Sequence, residues 1–104
     1  LAASVAIKNR IKFGNAYAVI ADVTFDSSYA TGGEEVKPAQ LGLRNVFLVQ
    51  AGNSGGYAFE YDYTNTKLKA YYGDNDSASD GPLVEVPNAT NLSAVTARIV
   101  AYGR

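Results

Sequence analysis

Residues 57–72 read YAFEYDYTNTKLKAYY, and the period of this stretch decides the fold. Tyr57, Phe59, Tyr61 and Tyr63 alternate with Ala58, Glu60 and Asp62. An extended chain therefore puts the rings on one face and the small or acidic side chains on the other. Thr64-Asn65-Thr66 turns the chain back into Lys67-Leu68-Lys69-Ala70-Tyr71-Tyr72. The two halves read as a hairpin that sets Lys67 and Lys69 near Asp62 and Glu60 across the strands.

The same period of two runs outward in both directions. Upstream, Asn45 to Ala51 has a continuous apolar centre (Val46, Phe47, Leu48, Val49) and reads as a strand covered on both faces. Tyr17, Val19, Ala21, Val23 and Phe25 line one face of an earlier strand, with Asp22, Thr24 and Asp26 on the other. From Val5 to Phe13, Ile7, Asn9, Ile11 and Phe13 fall on one face and Lys8, Arg10 and Lys12 on the other, giving a strand with a basic ladder. Gly14-Asn15 is a turn, and Gly32-Gly33 closes a polar break that begins at Ser27. Pro38 followed by Gly42 fits one short helical turn. Downstream, Gly73 to Pro82 (GDNDSASDGP) is an acidic loop, Leu83 to Val86 a short strand, Pro87 to Leu92 a turn and Val95 to Tyr102 a closing strand. Seven or eight short strands result, and no ten residues carry a helical stripe. The expectation is an all-β antiparallel sandwich or small barrel: an N-terminal strand or arm over residues 1–13, and a single β domain over 14–104.

Composition bounds the chemistry. A chain of 104 residues is the size of one domain, and one with 47% hydrophobic and 18% charged residues has enough apolar surface to fold. Eight Tyr and four Phe favour pleated surfaces. Without Cys there is no disulfide and no thiolate metal site; without His there is no Ser-His-Asp or Cys-His nucleophile. Ser-Lys pairs and paired carboxylates stay open. The net charge is −1, with the positive charge of the first thirteen residues offset by the rest, which is not the broad basic patch of a nucleic-acid binder. No apolar run approaches the roughly 20 residues of a membrane span. Leu1-Ala-Ala opens without Met, as expected of a chain whose start lies upstream.

Four features offer chemistry, and each has a plainer reading. Asp74, Asp76 and Asp80 supply hard oxygen ligands of the kind calcium takes, but the EF-hand spacing fails after the first two positions, and a solvated turn-rich loop is favoured. Glu34, Glu35, Glu60 and Asp62 are the carboxylates available for glycoside hydrolysis, although Lys67 and Lys69 neutralise the last two across the hairpin. The Tyr57–Tyr63 ladder suits sugar or base stacking, yet also matches the buried face of a strand. Lys8, Arg10 and Lys12 can meet a partner or simply protect a solvated edge. The sequons at Asn88 and Asn91 matter only in a eukaryotic secretory setting.

Tyr29-Ala-Thr-Gly-Gly33, Pro38-Ala-Gln-Leu-Gly-Leu43, Gly56-Tyr-Ala-Phe-Glu-Tyr-Asp-Tyr63 with Asn65, Lys67-Leu-Lys-Ala-Tyr71, and Asn91-Leu-Ser-Ala-Val95 running to Gly103-Arg104 add a resemblance. Over these turn-and-strand patterns the chain resembles small structural proteins of tailed bacteriophages, of the head decoration or cement type. The first thirteen residues lie outside it. The resemblance implies a virion protein on the outer capsid surface, often a homotrimer, that caps capsomer junctions and reinforces the shell. It implies the major capsid protein as partner, no enzymatic activity, no cofactor, and no nucleic-acid or membrane partner. On that reading the partner-facing segments are Leu1 to Phe13, with Lys8, Arg10 and Lys12, and Ala30 to Gly42, with Tyr29 beside it and Glu34 and Glu35 within it. The alternative is a tail, fibre or capsid-surface module that binds carbohydrate or a host receptor through tyrosines and the Asp-rich loop.

Overall fold

The computed structural model describes residues 3–73 and 83–104. Its strands are β1 (Ser4–Phe13), β2 (Ala16–Thr24), β3 (Glu34–Glu35), β4 (Val46–Ala51), β5 (Ala58–Asp62), β6 (Lys67–Tyr72), β7 (Val84–Glu85) and β8 (Thr96–Gly103). All pair antiparallel, in two sheets: β1-β2-β8-β4, and β3-β6-β5 with β7 also on β6. β5 covers one edge of β6 along Lys67 to Tyr71, so β3 and β7 share the other edge, at opposite ends. The fold is a small all-β sandwich.

Burial of alternate residues explains why these sequences face each other. Val19, Ala21 and Val23 of β2, Ala97, Ile99 and Ala101 of β8, and Val49 of β4 turn inward from the first sheet. Tyr61, Leu68 and Ala70 answer from the second. The alanines leave room for rings: Phe25 stacks on Phe59 at 5.5 Å between centroids, and Tyr29 lies 6.2 Å from Phe25. Leu41, Leu43, Val86 and Leu92 close the ends from the connections.

The connections follow their turn residues. Pro38–Leu41 is a single 3-10 turn, ended by Gly42 at φ 72°. Gly33 has φ 104°, and a Cβ there would lie 2.6 Å from the Leu68 carbonyl oxygen, so β3 reaches β6 only with glycine at this position.

Two strand expectations need correction. In β1 the register shifts between Ile7 and Asn9, leaving Lys8 as an extra residue without an opposite. Ile7 still opposes Ala21 on the core side. Beyond the bulge Arg10 opposes Val19 and Lys12 opposes Tyr17, while Asn9, Ile11 and Phe13 oppose Ile20, Ala18 and Ala16 on the outer side. The basic residues past the bulge therefore take the inward phase and Ile11 and Phe13 the outward one. β1 is hydrogen-bonded along β2 as an edge strand. In β4, Val49 is buried but Phe47 and Leu48 are exposed: a register shift between Val46 and Leu48 leaves Phe47 without an opposite, and no third layer covers the outer face, where Leu48 lies, among the described residues.

Candidate functional site

The outer face of the first sheet is apolar where solvent should favour polar side chains. Cross-strand registers align Ile11, Ala18, Tyr102 and Leu48 in one row, and Asn9, Ile20, Val100 and Gln50 in the next. Phe13 and Ala16 extend the face beyond the first row. Neither row carries a charge. Ile11 and Leu48 are each 42% exposed, Phe13 57% and Phe47 58%. Only past Val100 does a charged pair appear: Arg98 donates through Nε to Asp22 Oδ1 at 2.7 Å and through Nη2 to Oδ2 at 2.9 Å. That fork holds the Asp22 carboxyl below its ordinary pKa. An apolar centre with a polar rim is the anatomy of a contact surface.

Sequence reasoning missed this face, although β2 carried its signal. Ala16-Tyr17-Ala18-Val19-Ile20-Ala21 is apolar at every position, so both faces of the strand are apolar, not one.

The residues singled out from sequence divide by depth. Lys8, Arg10, Lys12 and Glu35 are exposed; Tyr29 and Glu34 are buried, which takes them away from any surface contact. Tyr29 is an interior tie. Its hydroxyl donates to Glu85 Oε2 at 2.7 Å and accepts the Ala70 N–H at 3.1 Å, and burial raises its pKa. The same Glu85 oxygen accepts the Gly32 N–H at 2.8 Å, so one carboxylate fixes the Gly32-Gly33 turn and the tyrosine together. Glu34 accepts the Ala30 N–H at 3.2 Å, and burial raises its pKa, with Asp26 adding to the rise. Among the described residues, Asp26 Oδ2 is buried without a hydrogen-bond partner. Glu35 makes only a surface pair with Lys37 at 3.4 Å.

The hairpin carboxylates are occupied. Glu60 opposes Lys69 and meets its Nζ at 3.5 Å. Asp62 opposes Lys67 but caps the turn instead, accepting from Thr64 N, Asn65 N and Asn65 Nδ2, which lowers its pKa. Of the aromatic ladder, Tyr61 is buried and donates to the Val36 carbonyl at 2.7 Å, and its pKa is pushed up to about 12 by burial. Tyr63 is half exposed, and its oxygen accepts the Val49 N–H at 3.1 Å. Tyr57 joins Tyr72, Gly55, Gly56, Val86, Pro87 and Thr90 around an open cleft of about 370 Å³. Asp74, Asp76 and Asp80 lie outside the described residues. Among those described, no three acidic side chains converge as a metal set.

Comparison with protein-family models, with curated proteins and with solved structures gives no match.

Proposed function

We propose that the chain is a structural protein of a virus particle of the tailed-phage type, seated on the outer capsid surface against the major capsid protein. The observation that carries this reading is the uncharged apolar face built by Ile11, Ala18, Tyr102 and Leu48 across four strands. The resemblance of the segments from Tyr29 to Arg104 to decoration and cement proteins supports the same conclusion. Covering this face on a partner removes apolar area from water, and a large side chain that starts about 40% exposed contributes roughly 1 kcal/mol before the costs of association. A homotrimer would multiply that contact on a lattice with three-fold positions.

The test is co-sedimentation with expanded, undecorated capsids of the phage that carries the protein, together with light scattering of the free protein. Saturation at a fixed ratio to capsid protein is expected, with a trimer in solution. Leu48→Asp and Tyr102→Asp should each abolish co-sedimentation while leaving circular dichroism unchanged. A wild-type protein that stays in the supernatant sinks the reading.

A carbohydrate- or receptor-binding module is the second reading. The cleft of Tyr57 and Tyr72 favours it, since both can offer a ring to a sugar. Glycan binding lost on Tyr72→Ala, with and without a calcium chelator, is its test.

A further inference from the structure

On the inward side of the first sheet, at the end past the bulge, a different surface gathers three arginines. Arg10, Arg44 and Arg104 line one cleft of about 410 Å³ with Asn15, Tyr17, Gly42 and Asn45. No Asp or Glu side chain lines it. The ion pairs among the described residues are Lys37–Glu35, Lys69–Glu60 and Arg98–Asp22, and none of them involves these arginines.

The backbone is built to bring the three together. A Cβ on Gly103 would collide with the Asn45 carbonyl, so glycine lets the end of β8 lie against the start of β4. There Arg104 N donates to Asn45 O at 3.0 Å, while the Arg104 oxygen accepts the N–H groups of Arg44 at 2.7 Å and Asn45 at 2.9 Å. Arg10 arrives from β1 because of the bulge. Its guanidinium carbon sits 4.2 Å from the Tyr17 ring centroid, and Nη2 donates to the Gly42 carbonyl at 3.0 Å. The left-handed glycine gives it room, since a Cβ at position 42 would come within 3.2 Å of Nη1. Lys12 Nζ, 6.0 Å from the same ring, adds a fourth positive charge at the margin.

A solvated protective charge on a strand edge needs none of this. Lys8, at the bulge, is such a charge. Arg10 is stacked, hydrogen-bonded and oriented, which lowers the entropy lost when it grips a ligand. Like charges gathered with no acidic side chain among them repel one another, and an added anion relieves that repulsion.

We propose that this cleft recognises carboxylates on an acidic segment of another polypeptide, with Arg10 as the fixed fork and Arg44 and Arg104 as the outer pair. Carboxylate is the oxyanion that a planar guanidinium meets two bonds at a time. A nucleic-acid strand would need a basic track continuing past the cleft. Here the rest of the lining, Asn15, Tyr17, Gly42 and Asn45, is uncharged, and the chain as a whole has a net charge of −1. The site stands apart from the apolar face and does not depend on the capsid reading.

The experiment is fluorescence anisotropy of a dye-labelled octa-aspartate peptide at low ionic strength, with inorganic phosphate and an oligothymidylate as competitors. Saturable binding is expected, weakened about tenfold or more in Arg44→Glu/Arg104→Glu. Arg10→Lys keeps the charge but loses the fork, and should weaken binding several-fold. Lys37→Glu/Lys67→Glu makes the same change in net charge elsewhere and should leave binding intact. Circular dichroism checks that each variant is folded. Absence of saturable binding, or equal loss in the two double variants, overturns the site. Displacement of the peptide at lower concentration by phosphate or by the oligothymidylate overturns its assignment to polypeptide carboxylates.

Discussion

In the β5–β6 hairpin every residue of one strand opposes one of the other, from Ala58 and Tyr71 to Asp62 and Lys67. Over the β1–β2 pairing, β1 carries one residue more than its partner requires, and that residue is Lys8. The unbroken ladder keeps Tyr61, Leu68 and Ala70 in a single phase, packed against the first sheet. The broken one changes phase midway. Val5 and Ile7 side with the core-facing Val23 and Ala21, whereas Ile11 and Phe13 side with Ala18 and Ala16 on the outer face. One hairpin is a wall of the core. The other spends its far end on two surfaces, an apolar one outward and a cationic one inward.

If that contrast is right, removing one residue from each hairpin should have opposite consequences. Deleting Lys69 inverts the phase of β6 on one side of the gap, sending either Leu68 or Ala70 toward solvent and breaking its pairing with β3 or β7. The expected loss exceeds about 4 kcal/mol, the range reserved for core disruption. Urea denaturation should show a variant without a cooperative transition. Survival of a sharp transition would mean that β6 is not the central strand of its sheet.

Substitution should separate the same two regions less drastically. Leu68 is fully buried, so Leu68→Ala removes transfer energy and leaves a cavity, at a cost of about 3 kcal/mol. Ile11→Ala removes a side chain that is already 42% exposed in the isolated chain and should cost less than about 1 kcal/mol. Equal losses in chemical denaturation would show that β1 is as deeply packed as β6.

Glu34 sharpens the picture of how β6 is held, because it pairs with Leu68 while its own carboxyl is buried. Its pKa in the folded chain lies above the ordinary 4.5, raised first by burial and then by Asp26. Between the ordinary and the raised value the folded state holds a proton that the unfolded state has released. Stability from this group is therefore fullest at acid pH and falls as pH rises through that window. Glu34→Gln keeps an acceptor for the Ala30 N–H and supplies a donor for the unpartnered Asp26 Oδ2. It should raise stability at neutral pH by about 1 kcal/mol, with the gain shrinking toward pH 4. Urea midpoints at the two pH values measure this, and a loss at both would contradict it.

Most of the fold was legible because most strands keep their phase. The β5–β6 turn, the Lys69–Glu60 pairing, the inward face of β2 and the turn at Pro38 all follow from local residues. The bulge was not legible. Period-two reading assumes one residue per partner, and Val5 to Phe13 alternates perfectly in sequence with or without an insertion. The short β3 was missed for a different reason: two residues carry no period, and Glu34-Glu35 looks solvent-facing until Gly33 folds it onto β6. The outer apolar face was half visible. The continuous apolar centre of β4 reads as a strand covered on both sides, whereas β2 reads as apolar on one face only because Asp22 and Thr24 mark its other face. The arginine cleft was hidden altogether, since its members lie 34 and 60 positions apart along the chain and meet only through glycines that let backbones touch.

The smallest effect should come from the deletion that alternation alone would call severe. Removing Lys8 joins Ile7 directly to Asn9, and these already oppose the adjacent residues Ala21 and Ile20. The ladder then closes without a gap, Ile7 and Arg10 keep the inward phase, and Ile11 and Phe13 keep the outward one. Lys8 is exposed, and its side chain makes no hydrogen bond or close ion pair among the described residues, only a longer-range attraction to Asp22, so the cost should stay under about 1 kcal/mol. What changes is the edge. A bulge twists an edge strand away from pairing with another chain, and a lysine on that edge adds repulsion. The deletion variant should therefore unfold at nearly the wild-type urea concentration yet associate more readily, seen as a concentration-dependent rise in scattered light. A large loss of stability would mean that the bulge packs against something, and that β1 is less of a free edge than its registers imply.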